Sequence, residues 1–445
     1  MSTQIFLAST LYGTATLAAA LDSDCFRPAD RRILLVCNNA ATPETTAALD
    51  EMPGFARLRE RFDDVFSWNE TIAPFHPGGW SPRPDDVPLW ERHLRLLWNL
   101  GEDPVELAVE SIQVNPALAV AQIFTGAPVT LYADGLMSYG PTRNKIDPLV
   151  GTRIDRLLHL DLVPDLRPVL LTEFGVAPEI VPTDTFVKVL AELADTGDVL
   201  PAAGEEPALL LGQYLSALGI LTSEEEEDLH VRMLRGAVAL GHTHVVFKPH
   251  PSAPERWSRA LENEAELLGA ELTVLDVPVL AEVLYQRMRP ALVVGCFSTA
   301  LLTASALYGL PVARTGTGTL LERLTPYENS NRVPVTVVDA LVPDLEDPEA
   351  VTAQRPDAAA GALNALVRAV SYAMQPVIHQ SLRGDAEDYL TRHLSAHTWR
   401  YFKRRRLTSL MLPGAVPAQL AFIPRNATVR RVARRARTLR RAVGR

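Results

Sequence analysis

Two short polar sequences, each closing an apolar run, carry the residue types from which a phosphate site is built. The run His244 to Phe247 ends in Lys248, Pro249, His250 and Pro251, and the run Ala291 to Cys296 is followed by Phe297, Ser298 and Thr299. Runs of β-branched residues that stop abruptly at polar or Gly/Pro positions are the pattern of buried parallel strands, and ligands of open α/β sheets bind where such strands end. Ser298 and Thr299 would open a helix, whose free N–H groups together with an imidazole and an ammonium suit an anion. A Lys-Pro-His-Pro turn and a Ser-Thr N-cap are equally the structural meaning of these residues taken one at a time. A third apolar run, Ala208 to Leu211, ends at Gly212 and Gln213 and belongs with the same group.

A different chemistry stands earlier in the chain. The run Pro128 to Tyr132 leads into Ala133, Asp134 and Gly135. A carboxylate held at a strand end can act as a general base, and glycine lets a substrate approach the backbone; an Asp-Gly turn is the plainer reading. Arg143 and Lys145 follow closely and would recruit an anionic substrate or simply decorate a solvated loop. Asn69, Glu70 and His76 lie in a loop, Trp68 to Pro77, that turns through Pro74, His76, Pro77, Gly78 and Gly79 and is too rich in Pro, Gly and aromatics to be helical.

The elements needed to position these groups alternate in type. The first half reads as strand Ile5 to Ala8, helix Gly13 to Leu21, strand Ile33 to Cys37, helix Pro88 to Leu100, strand Glu106 to Ile112, a helix from Pro116, and the strand before Asp134. Residues 196–207, rich in Gly, Pro and Glu, read as a linker. After them Ser223 with Glu226 matches a capping box opening a helix to about Leu240. Strands follow into Lys248, at Leu272 to Leu275, into Ser298 and at Pro311 to Ala313, each separated by a helix. This predicts two Rossmann-like halves facing one cleft: residues 1–195, the linker 196–207, and residues 208–397, which carry the nucleotide-phosphate cradle, with closing helices from Ala358 to about His397. Residues 398–445 are predicted to be a basic amphipathic tail.

Charge divides the chain in the same way. Its 445 residues sum to −10, yet fifteen basic residues and no acidic one follow Asp388, leaving 28 basic against 53 acidic before it, a balance of −25. Arg425 to Arg445 sets Val429, Val432, Ala436, Leu439 and Val443 at three- and four-residue spacing among arginines. That composition suits a helix on an anionic membrane surface, or an arm for another polyanion. No nucleic-acid partner is expected. The opening residues lack a basic n-region and read as strand, loop and helix, not as a secretory signal, and no apolar stretch is long enough to span a bilayer. Cys25, Cys37 and Cys296 have neither disulfide nor zinc-knuckle spacing, so a cytoplasmic protein, peripheral on the inner face of the plasma membrane, is expected.

With these residues assembled, the chain resembles the bacterial sialyltransferases, and most closely the capsule-type α-2,8-polysialyltransferase family, over roughly residues 3 to 320. The resemblance rests on Ala133-Asp134-Gly135, His250-Pro251 and Ser298-Thr299, matching the family's acidic-acidic-Gly, His-Pro and Ser-Ser/Thr motifs in order, and on the Trp68 to Pro77 segment. It implies the GT-B fold and an inverting transfer of sialic acid, or a related nonulosonic acid, from a CMP-sugar to a glycan or glycolipid hydroxyl. Asp134 would be the base. Lys248, His250, Pro251, Ser298 and Thr299 would hold the donor phosphate, with Gly212 and Gln213 nearby. Glu282 would bind the ribose, or else be a solvated helix carboxylate. Gly135, Asn69, Glu70 and His76 would lie on the acceptor side. Ala133 departs from the family, which usually has a second acid there. No cofactor or metal is implied, since a departing monophosphate ester carries less charge than a nucleoside diphosphate; Asp22-Ser23-Asp24, formally a DxD motif, is read as a solvated turn. A CDP-glycerol-dependent polymerase of the teichoic-acid type and a non-catalytic sugar-binding scaffold for glycan export are the alternatives.

Overall fold

The computed structural model describes residues 2–195, 206–250, 256–275, 277–354 and 360–415. They form two α/β domains, each built on a wholly parallel sheet. The first sheet contains β1 (Thr3–Ala8), β2 (Arg31–Val36), β3 (Asp64–Ser67), β4 (Val105–Val109), β5 (Val129–Ala133), β6 (Ile154–Leu160) and β7 (Ala177–Val181). The second contains β8 (Ala208–Leu211), β9 (His244–Lys248), β10 (Glu271–Val274), β11 (Leu292–Gly295) and β12 (Val312–Arg314). Their orders are β3-β2-β1-β4-β5-β6-β7 and β10-β9-β8-β11-β12. Each chain half therefore winds outward from its first strand, returns, and winds out the other way. The gap between β1 and β4, and likewise between β8 and β11, is the topological switch point at which loops splay apart and leave room for a ligand. Two such domains facing a cleft make the GT-B architecture.

The central strands explain why short apolar runs suffice. Ile5, Phe6 and Leu7 of β1 and Leu209, Leu210 and Val293 of the second sheet are fully buried, as strands covered by helices on both faces must be. The helix Leu11–Asp22 is almost wholly buried and covers β1. Two strands at the first sheet's far edge, β6 and β7, and the helix Thr183–Ala194 extend it beyond the elements read from sequence.

The capping box lies one residue earlier than expected. Thr222 is the N-cap of the helix Ser223–Ala239, and Glu225, not Glu226, completes the box. Both pairs fit the spacing, but Glu226 is drawn inward, where its carboxylate accepts the N–H groups of Leu215 at 2.6 Å and Ser216 at 2.7 Å. It fixes the loop that follows β8.

The C-terminal helices bind the domains together. Gln375, after the helix Ala360–Met374, donates to the Arg143 carbonyl at 2.9 Å, and Thr172 lies 3.3 Å from His379 Nδ1. The boundary drawn at His397 is too early. Tyr401, Phe402, Leu407 and Leu412 are buried in the main core, Tyr401 donates to Asp339 at 2.9 Å, and Arg406 pairs with Glu328 at 2.7 Å. Arg400, through Asp339, and Arg406, through Glu328, are ties to the body, so residues 398–415 belong to the fold. The stretch Arg425 to Arg445 and linker residues 196–205 lie outside the described residues.

Candidate active site

At the second sheet's switch point, Gln213 reaches from the end of β8 to accept the Phe297 N–H at 2.8 Å, clamping the loop after β11. Ser298 is the N-cap of the helix Thr299–Tyr308; its hydroxyl accepts from Ala300 N at 3.2 Å. Gly212 is needed for close approach, since a Cβ there would lie 3.1 Å from the Phe247 ring and 3.2 Å from the Lys248 carbonyl. Lys248 is half-buried at the end of β9, and loss of water lowers its ammonium pKa against the opposing influence of Glu282. His250 stands at the solvent-open mouth, where partial desolvation and then the Lys248 charge hold its imidazole below the usual value. Glu282 is not a solvated carboxylate. It is buried, accepts the Thr303 hydroxyl at 2.7 Å, and has its pKa raised chiefly by that burial.

The first sheet's switch point carries the opposite charge. Asp134 follows β5 and is half-buried, and desolvation raises its pKa while the Thr10 hydroxyl, donating at 3.4 Å, works against the rise. Beside it, at the end of β4, is Glu110, 8% exposed and hydrogen-bonded by the Ser9 hydroxyl and by Tyr132 at 3.2 Å. Burial and then the Asp134 charge push Glu110 up to about 7. Tyr12, the second residue of the first helix, has a buried hydroxyl with no hydrogen-bond partner among the described residues.

The two switch points meet. A Cβ on Gly135 would come within 3.0 Å of Thr299 Oγ1, and the Leu136 N–H lies 3.5 Å from the same hydroxyl. Asp134, Gly135, Ser298 and Thr299 thus form a wall shared by two cavities. One, of about 360 Å³, holds Lys248, His250, Gly212, Glu282 and Tyr12. The other, of about 460 Å³, holds Glu110, Gln113, Arg143, Gln213 and Asn331. Gln213 therefore faces the second cavity while holding the loop behind the first. Arg143 is half-buried with its pKa lowered by desolvation, whereas Lys145 is exposed.

Other expected residues lie apart from this wall. Asn69 exchanges hydrogen bonds with the Asn38 backbone at 2.8 and 2.9 Å, and both His76 ring nitrogens are engaged, with Ala40 O at 2.9 Å and Gly78 N at 3.1 Å. With Glu70 they line a separate cavity of about 450 Å³ beyond β2 and β3. Pro251 falls outside the described residues. Asp22 ends a helix away from the cleft and pairs with Arg61 at 2.6 Å. Sequence reasoning missed Glu110, Thr10 and Tyr12; the polar interruption of the apolar N-terminal run was the available signal for Thr10 and Tyr12.

A family model described as alpha-2,8-polysialyltransferase matches residues 4–317. No curated protein matches the chain. Among solved structures, the GT-B domain of a sialyltransferase from Photobacterium damselae is similar at 12% identity, with 76% of this chain and 96% of that one covered and a TM-score of 0.41. The UDP-GlcNAc 2-epimerase of Methanocaldococcus jannaschii is similar at 12% identity, covering 84% and 100%, with a TM-score of 0.45. A glycosyltransferase from Rickettsia africae is similar at 10% identity, covering 90% and 99%, with a TM-score of 0.40.

Proposed function

The chain belongs to the alpha-2,8-polysialyltransferase family, and from that premise we propose that it moves sialic acid, or a related nonulosonic acid, from a CMP-sugar to a glycan hydroxyl with inversion. The observation that supports this most is the contact of Gly135 with Thr299, which sets the carboxylate of one domain against the helix N-terminus of the other. The CMP phosphate takes the smaller cavity, where Lys248, His250 and the N–H groups at Ser298 and Thr299 offer donors to its leaving charge. The ribose hydroxyls lie toward Glu282 and Tyr12. The acceptor enters the larger cavity and loses its hydroxyl proton to Asp134 as its oxygen attacks the anomeric carbon. A carboxylate base whose pKa is raised by desolvation holds that proton better than an exposed one. The cations on this chain suffice for a monophosphate leaving group, so no metal or cofactor is assigned.

Mass spectrometry of products from a panel of CMP-sugars, with CDP-glycerol as a further donor, tests the reading. Transfer from a CMP-nonulosonic acid is expected, and transfer from CDP-glycerol alone would overturn it. We assign Arg425 to Arg445 to an anionic membrane surface, on the strength of their arginines and apolar spacing. Because residues 398–415 are packed in the body, the informative truncation ends at Ala415. The full chain should sediment with vesicles containing phosphatidylserine and release at high salt, and the truncated one should remain in solution. Equal sedimentation of both would remove the tail from the account.

A further inference from the structure

Glu110 is a buried carboxylate to which the reaction above gives no task. The pairing of β4 with β5 sets Val109 level with Leu131. One step on, Glu110 and Tyr132 share a face, and Asp134 lies two residues further along it, because side chains alternate along a strand. Ala133 packs on the opposite face, against the other apolar cluster. An acid at that position would therefore project away from the side that carries Asp134.

One loop holds both carboxylates. Ser9 donates to Glu110, and its neighbour Thr10 donates to Asp134 at 3.4 Å. A Cβ on Gly13 would lie 3.0 Å from Thr10 Oγ1 and 3.2 Å from both Glu110 Oε2 and the Tyr132 hydroxyl. Three polar groups thus converge on Gly13, where a Cβ would crowd all of them. Both carboxylates also line the larger cavity. The titratable groups around them are Tyr132 on β5, Tyr12 on the first helix, the Cys37 thiol after β2, and Arg143 across the cavity.

We propose that Glu110 is a positioning residue for Asp134: it anchors the Ser9-Thr10 loop that orients the base, and its like charge strengthens that base. The inference rests on Asp134 being the base. As the acceptor hydroxyl gives its proton to Asp134, the acceptor oxygen bonds to the anomeric carbon and CMP departs with the electrons of the broken bond between that carbon and the phosphate oxygen. The Asp134 charge is neutralised in that step, so repulsion within the pair is relieved as the proton arrives, which favours the transfer.

The test is the pH profile of kcat/KM for the acceptor. Glu110→Gln removes the charge and keeps one carbonyl oxygen, which serves Ser9 in place of Oε1, while its amide faces the Tyr132 hydroxyl, which still donates to the Leu7 carbonyl at 2.9 Å. Asp134 ionises first and Glu110, raised to about 7 by burial and that charge, second, so wild-type activity should rise again as Glu110 ionises; Glu110→Gln should lose that upper rise, so that the limb ends about 0.5 to 1 unit lower and the plateau falls roughly 3- to 30-fold. Glu110→Asp should return the limb most of the way to its original position. Ser9→Ala, which makes Glu110 harder to ionise, should move the upper end of the limb to higher pH by a smaller amount, and it decides the matter if Glu110→Gln does not fold. An unmoved limb in folded Glu110→Gln, or in Ser9→Ala where only that variant folds, overturns the inference. Asp134→Asn, measured alongside, separates the two claims: lost turnover there with an unmoved limb in the Glu110 and Ser9 variants sinks only this inference, whereas surviving turnover sinks the base assignment and this inference with it.

Discussion

The two switch points have the same topology and opposite chemistry. Both lie where a parallel sheet reverses its winding, between β1 and β4 in one domain and between β8 and β11 in the other. At the first, hydroxyls of Ser9 and Thr10 face the carboxylates of Glu110 and Asp134. At the second, Lys248 and a helix N-terminus opened by Ser298 present positive charge and free donors. The winding decides where a ligand is held, and a few strand-end residues decide whether that place removes a proton or stabilises a departing anion. Their separate roles make the comparison breakable from either side.

The largest effect belongs to the first switch point. Asp134→Asn should reduce turnover by roughly 10²- to 10⁴-fold, the usual contribution of a positioned general base. Wild-type activity should also fall as pH drops through the raised Asp134 pKa, because protonation removes the base. Steady-state kinetics across pH check both, and near-normal turnover in the variant would dissolve the distinction between the two sites.

At the second switch point, replacing Ser298 and Thr299 together by Ala should weaken CMP binding by about tenfold, the scale of one lost charge-assisted hydrogen bond. The same change should lower thermal stability by about 1 kcal/mol, because Ser298 caps the helix. Loss of stability with unaltered CMP affinity would make the pair a cap and nothing more. Arg143→Ala sharpens the comparison from the larger cavity, whose lining it shares with Asp134. Acceptor KM should rise several-fold, up to about tenfold, for an acidic glycan and little for a neutral one. A change in CMP affinity in that variant would place the guanidinium on the wrong side.

The smallest effect is a pH dependence. Since the His250 pKa lies below the usual value, its ring is neutral at pH 7 and gains charge as pH falls. CMP affinity should therefore rise by about two- to fivefold as the imidazole protonates, and His250→Ala should abolish the rise. A rise that persists in the variant would belong to another group.

What the sequence disclosed divides along the same physical line. Buried strands and the polar residues that end them are local, so β9 into Lys248, β11 into Ser298 and β5 into Asp134 were all legible. Glu110 was not, because its meaning comes from the register of β4 with β5 and from the distant Ser9. Glu226 and Glu225 fit a capping box equally well by spacing, and only the loop after β8 distinguishes them. Arg400 and Arg406 resembled tail arginines until their partners Asp339 and Glu328 were known. The acceptor-side grouping of Asn69 and His76 with Asp134 followed chain order, whereas the fold lodges them in a separate cavity.

The division of labour between the switch points is tested most directly by calorimetric titration of CMP into the wild type, Asp134→Asn and Lys248→Ala. Wild type and Asp134→Asn should bind alike, within about twofold, while Lys248→Ala should bind at least about tenfold more weakly, having lost a charged donor to the phosphate. Undiminished affinity in Lys248→Ala, or a comparable loss in Asp134→Asn, would contradict it.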